Sequence, residues 1–230
     1  MIRVALDAMG GDDAPAAEVD GAAAALRELS ADFALILVGQ PEVITTHLDR
    51  HPDLDRERIE IVPATEVVTM TDKPLQAVRQ KRDSSLVVGL GLHRDGKADA
   101  FVSAGNTGAT LAASTILLGL HEGVDRATVA SLFPSATGNV LVLDAGANVD
   151  CSARELVNFA HLGSVYMRDV IGRPSPSVGL LNLGEEDEKG SAVVREAHQM
   201  LKTEPHLNYV GNIEGRDIVV PHPRHGKIDV

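Results

Sequence analysis

The stretch Ala100–Ser114, AFVSAGNTGATLAAS, passes from an apolar strand-like run through Ser-Ala-Gly-Asn-Thr-Gly into a helical pattern. A helix that opens on small residues offers an anion its first backbone N–H groups and the positive end of its dipole. Ser103 and Thr107 add hydroxyls and Asn106 an amide, while Gly105 and Gly108 let the backbone come close to a ligand. The segment has no lysine, so it is not a nucleotide P-loop. Spacing alone leaves two compatible readings. Asn106 or Thr107 caps the helix, or the amides from Gly105 to Gly108 cradle an anion.

Three further turns carry short polar residues at the ends of apolar runs. In DAMGGDDAP, Gly10 and Gly11 permit close backbone approach, Asp12 or Asp13 is placed to cap a helix opening near Pro15, and Asp7 closes the preceding run. Three neighbouring carboxylates repel a bare anion and suit basic side chains instead. The glycine spacing is not that of a dinucleotide fingerprint. DAGANVDCS repeats the strand, small turn and helix layout, with Asp144, Asn148 and Asp150 able to orient a ligand. Its Cys151, at a helix start, is expected to have a somewhat stabilised thiolate, yet no histidine lies at a spacing that would make it a nucleophile. LNLGEEDEKGS ends a strand in acids around one cation, Lys189, and scattered acids define no metal site.

Lys73, Arg79, Lys81 and Arg82 fall within DKPLQAVRQKRDSS, in a chain whose formal net charge is -12. Such a cluster suits phosphate or an acidic partner, and equally a solvated helix face. The histidines show no metal-binding spacing, and His222 and His225, in PHPRHG, are expected to be exposed.

The excess of 33 acidic over 21 basic residues disfavours a nucleic-acid face. Aromatic residues make up 3%, which removes stacking platforms and leaves the core to Val, Leu, Ile and Ala. A single cysteine excludes an internal disulfide and fits a reducing compartment. The N-terminus reads as a first strand rather than a secretory signal, and no uncharged run reaches the roughly 18 residues of a membrane span.

The elements that must position these turns follow from periodicity. Strands are predicted over 2–6, 33–38, 59–62, 98–103, 177–183 and 209–213, with 128–133 and 139–144 as a hairpin or two neighbouring strands, and a further strand just beginning at 228–230. Helices are predicted over 15–29, from Pro41, over 74–92 with a break at Ser84-Ser85, and over 107–118, 152–169 and 188–201. Ser152 with Glu155 forms a capping box. Continuous apolar strands alternating with helices imply a three-layer α/β/α sandwich on a mostly parallel sheet, here one domain over 1–230. The unusual residues then gather at the carboxyl ends of strands, where such sheets bind ligands.

Taken in order, VALDAMGGDDAP, DKPLQAVRQKRDSS, ADAFVSAGNTGAT, LDAGANVDCSARELVNFAHLGSVY, VGLLNLGEEDEKG and VGNIEGRDI resemble the bacterial phosphate acyltransferases of phospholipid synthesis. The resemblance implies a fold like those of phosphotransacetylases and isopropylmalate dehydrogenases. It implies transfer of a fatty acyl group from acyl carrier protein to inorganic phosphate, without a cofactor or metal. It also implies a homodimer, cytoplasmic and in peripheral contact with membrane phospholipid. Members are usually longer, with a further turn and helices after the equivalent of GKIDV. A carrier-docking scaffold and a dehydrogenase of related fold are the alternatives, the latter lacking its nucleotide fingerprint.

Within that resemblance, Asn106, Thr107 and Gly108 take a phosphate or oxyanion role, with Ser103, Gly105, Gly10 and Gly11 completing the phosphate site. Asn148 and Asp144 orient the reactants, Lys189 is the nearby cation, and Asp7 holds it. Lys73, Arg79, Lys81 and Arg82 contact phosphate or the acidic carrier protein.

Overall fold

The computed structural model describes residues 1–29 and 32–230. They form two compact units, Met1–Gly119 and Leu120–Val230.

The first unit is built on a four-stranded parallel sheet. Its elements are β1 (Ile2–Asp7), α1 (Ala16–Glu28), β2 (Phe33–Gly39), α2 (Pro41–Leu48), β3 (Ile59–Pro63), α3 (Pro74–Gln80), α4 (Ser85–Arg94), β4 (Ala100–Val102) and α5 (Thr107–Leu117). The strand order is β3-β2-β1-β4, so β1 is central and lies between β2 and β4. Alternation along β2 explains the layering. Leu35 and Leu37 point to one face, where they pack with Val19, Ala23 and Leu26 of α1 and Ile44 and Leu48 of α2. Ile36 and Val38 point to the other, against Val88 and Leu92 of α4. A strand buried on both faces needs an unbroken apolar sequence, and FALILVG is one.

The break at Ser84-Ser85 is real. α3 ends at Gln80, and the Ser84 side chain accepts from the Val87 amide to start α4. The strand predicted over 98–103 is shorter, because the chain leaves the sheet after Val102 to make the Ser103–Asn106 turn.

The second unit contains β5 (Ala130–Ser135), β6 (Gly138–Leu143), α6 (Ala153–Asp169), β7 (Ser177–Leu181), α7 (Ala192–Leu201) and β8 (Asn208–Ile213). β5 and β6 form an antiparallel hairpin, while β7 and β8 pair in parallel. The capping box of Ser152 and Glu155 opens α6 as expected. α7 starts later than the predicted 188, because Gly190 takes a positive φ of 88° and Ser191 caps the helix at Val194. Residues 228–230 form no regular strand. They nevertheless bond to both neighbours, the Asp229 carbonyl accepting from Leu141 and the Val230 carbonyl from Gly179. An apolar cavity of about 190 Å³ lies between β6, β7, α6 and α7, lined by residues such as Leu141, Phe159, Leu180 and Leu201. Val230 of that extended segment also lines it.

His222 corrects the sequence reading. It is buried, at 3% exposure, whereas its neighbour His225 is exposed and stacks on it at 4.7 Å. The polar tail folds back because His222 exchanges backbone hydrogen bonds with Gly226, and its Nδ1 accepts from the amides of Arg224 and His225. Its Nε2 lies 3.4 Å from the Glu185 carboxylate.

Leu37 is fully buried at the centre of the first unit. Leu37→Ala is expected to cost about 3–5 kcal/mol, measured as a lower urea midpoint. A loss under about 1 kcal/mol would show that this sheet face is not packed as described.

Candidate functional site

Sheet order brings two turns together. β1 and β4 are hydrogen-bonded neighbours running the same way, so the β1–α1 and β4–α5 turns leave the sheet side by side. The Ser103 hydroxyl donates to Asp7 Oδ2 at 2.8 Å and accepts from the Gly105 amide at 3.1 Å, while Asp7 Oδ1 accepts from Met9 N. Asp7 is buried and both of its oxygens are engaged in the first unit, so its task is to fix the turns. Glycine is required here for space. A Cβ on Gly10 would strike the Asp7 carboxylate, one on Gly11 would strike Glu18 Oε1, and one on Gly105 would come within 3.2 Å of Gly10 Cα.

Asn106 ends the second turn as the N-cap of α5. Its Oδ1 accepts from Ala109 N at 3.0 Å, and its Nδ2 donates to the carbonyls of Thr69 and Asp72, each at 3.2 Å. At 8% exposure, its hydrogen-bonding groups are committed to the protein. Its contribution is therefore positional, tying the 69–72 loop to the start of α5. The exposed polar side chain of this turn is Thr107. An α-helix leaves its first amides without intrahelical acceptors. Asn106 takes that of Ala109, and those of Thr107 and Gly108 point out of the helix end. Pro74 packs at Gly108, where a Cβ would lie 2.7 Å from its Cγ.

The basic set separates by role. Lys81 is half-buried and donates to Asp72 Oδ2 at 2.6 Å and to the Val67 carbonyl at 2.8 Å. Its ammonium, with the Thr69 amide, holds the Asp72 carboxyl below the usual carboxylate range. Lys81 thus braces the loop that Asn106 also holds. Lys73, Arg79 and Arg82 are exposed, with Lys73 and Arg79 lining an open groove along α3 with Leu75 and Gln76.

Asp144, Asn148 and Lys189 belong to the second unit. Asp144 closes the turn after β6, with Oδ1 accepting from Thr128 Oγ1 and Val129 N, and Oδ2 from the amides of Asn148 at 2.7 Å and Gly146. Burial pushes its pKa up, but these donors outweigh it and hold the carboxyl below its ordinary value. Asn148 Nδ2 donates to the Ala127 carbonyl and to Asp144. Lys189 is exposed in the acidic loop, and its carbonyl accepts from Asn182. Cys151 departs from expectation. Burial, with the charges of Glu155 and Asp144, pushes its thiol up rather than stabilising the thiolate.

Two groups escaped the sequence reading. Glu18 is buried at 8% exposure against the Gly10–Gly11 turn. Asp72 anchors the loop under Asn106. The signal for Glu18 was its place three residues after Pro15, a glutamate in a first helical turn whose cap offers no N–H.

Parallel strands with glycine turns at their carboxyl ends and helices on both faces define an α/β protein of the class whose ligands sit at the carboxyl ends of the strands. The same fold occurs in the EutD phosphotransacetylase from Staphylococcus aureus, with a TM-score of 0.63 at 18% identity, over 93% of this chain and 68% of that one. The model of the fatty acid synthesis protein family matches residues 2–230, and the chain belongs to that family. Curated relatives called phosphate acyltransferase are 48% identical over 235 residues in Koribacter versatilis, 46% over 217 in Salinibacter ruber and 48% over 229 in Geobacter sp. strain M21. These alignments take in 94–100% of this chain and 62–64% of the relatives, so the chain spans somewhat less than two thirds of their length.

Asn106→Ala removes a cap and leaves the carbonyls of Thr69 and Asp72 short of a donor. We predict a loss of about 2–4 kcal/mol, read as a lower denaturation midpoint of the first unit. Unchanged stability would return Asn106 to the ligand-contacting groups.

Proposed function

We propose that the protein transfers a fatty acyl group from acyl carrier protein to inorganic phosphate, and that both units serve this one activity. The observation that carries the proposal is the open N-terminus of α5 beside two glycine turns, in a chain whose relatives are called phosphate acyltransferases. Bare amides and hydroxyls suit free phosphate, which needs no lysine bridging two phosphoryl groups.

In the proposed reaction a phosphate oxygen attacks the thioester carbonyl carbon, the C–O bond forms and the C–S bond breaks. Hydrogen phosphate supplies the proton that ends on the departing thiol, so acyl phosphate and carrier thiol are the products. Phosphate is itself the nucleophile, and no serine or cysteine relay is needed. The amides of Thr107 and Gly108 and the Thr107 hydroxyl hold phosphate or the developing oxyanion. Gly10, Gly11, Ser103 and Gly105 shape that site, while Asn106 and Asp7 keep it in place. Asn148, held by Asp144, and Lys189 are assigned the orientation of the thioester. Lys73, Arg79 and Arg82 are assigned to the acidic carrier protein, with Lys81 bracing their helix.

Among the described residues no helix is long and apolar enough to cross a membrane. Homodimer formation, a cytoplasmic location and peripheral contact with phospholipid are parts of the same proposal, drawn from the family resemblance.

Mixing the purified protein with an acyl-carrier-protein thioester and phosphate is expected to release carrier thiol only when phosphate is present. No phosphate-dependent release would sink the transferase reading and favour a carrier-docking scaffold. Replacing both Lys73 and Arg79 by Glu is expected to raise the KM for acyl carrier protein by about tenfold, more at low salt, with kcat nearly unchanged. An unaltered KM would remove α3 from carrier docking.

A further inference from the structure

A glutamate at the third position of a helix ordinarily folds back to accept the N-cap amide. Glu18 has this place in α1, but the N-cap is Pro15, which has no N–H to give. The carboxyl has turned instead onto the glycine turn. Oε1 occupies the space a Gly11 side chain would need, 3.7 Å separates that position from Ala104 Cβ of the β4–α5 turn, and Oε2 is buried without a hydrogen-bond partner. An ionised carboxylate with a bare buried oxygen is costly, whereas a protonated one is much less so.

The charges around it act in the same direction. Asp7 at the end of β1 and Asp13 in the turn are the groups that reach Glu18 electrostatically, and both are acids. The β4–α5 turn brings Ser103 and Ala104, which do not titrate. α2, packed on α1, carries Glu42 and His47, and His51 in the loop after it is paired with Asp20 of α1. Burial first pushes the Glu18 carboxyl up, its own backbone amide draws it part of the way back, and Asp7 and Asp13 add to the rise.

Resting on the phosphate reading of the two glycine turns, we propose that Glu18 is a proton-holding positioning residue, taking up a proton on the buried oxygen as an oxyanion binds there. This eases the conflict between an anion site and the acids around it, because Glu18 adds no negative charge to those of Asp7, Asp12 and Asp13 once the ligand has arrived. The sign follows from linkage. A dianion beside Glu18 raises its proton affinity further, so binding consumes a proton and weakens as pH rises.

Sulfate is the suitable probe, since it remains a dianion throughout, and inorganic phosphate is the second. Calorimetric titration of the full 230-residue chain in buffers of different ionisation enthalpy counts the protons taken up. Wild type is expected to bind sulfate with net proton uptake, its affinity falling by up to about tenfold per pH unit over the range where uptake occurs. Glu18→Gln is neutral at every pH. It is expected to bind sulfate with no Glu18-linked uptake and a flat profile, and more tightly than wild type at alkaline pH. Sulfate binding by wild type without proton uptake, or uptake that persists in Glu18→Gln, would overturn the role of Glu18 while leaving the phosphate site standing. No binding of sulfate or phosphate by either protein would overturn both. The wild-type proton count decides alone should Glu18→Gln fail to fold.

Discussion

The hydrogen bond from Ser103 to Asp7 joins the turns that follow two adjacent parallel strands, and the geometry of the first unit's site depends on it. It is possible only because β1 lies beside β4, a sheet order that places a residue at position 7 next to one at position 103. It also forces the local composition. Once a buried carboxylate sits between the turns, the backbone facing it has no room for a side chain, hence Gly10 opposite Asp7 and Gly105 against Gly10. The glycines are thus consequences of packing as much as of ligand access, and the same lack of Cβ atoms keeps the helix end open.

A related device appears in the second unit. Asp144 ends the run of β6 and gathers the amides of Gly146 and Asn148 on one oxygen, and the Thr128 hydroxyl and Val129 amide on the other. In both units, an aspartate that looks like a reactive acid in the sequence acts as the acceptor that folds a turn. An exposed carboxylate near an anion would oppose binding, while one saturated by backbone and hydroxyl donors has much of its charge answered locally. Acids can therefore line the approach to an anion site without emptying it.

The strands and helices were largely legible because their signals are local. FALILVG has the unbroken apolar run of a doubly covered strand, and Ser152 with Glu155 announces a helix start three residues apart. What stayed hidden depended on distant partners. Asn106 reads equally as a cap or a ligand donor until the carbonyls of Thr69 and Asp72, more than thirty residues earlier, are found on its amide. Lys81 looks like one of four surface cations until Asp72 and Val67 claim it. His222 sits in a proline-rich polar segment, and only the bridge to Gly226 shows that the segment buries it.

Asn106 and Lys81 converge on one short loop, and that convergence bears on how the site is built. Asn106 holds the loop's carbonyls from α5, and Lys81 holds its carboxylate and the Val67 carbonyl from the end of α3. Residues 69–72 are therefore clamped between the helix that Asn106 caps and the helix that carries the exposed Lys73 and Arg79. Motion of α3 on a docking partner cannot leave α5 unaffected without breaking hydrogen bonds to a buried asparagine, which are expensive to lose. The glycine turns fix the backbone at the open end of α5. The clamp couples that place to the exposed Lys73 and Arg79 along α3.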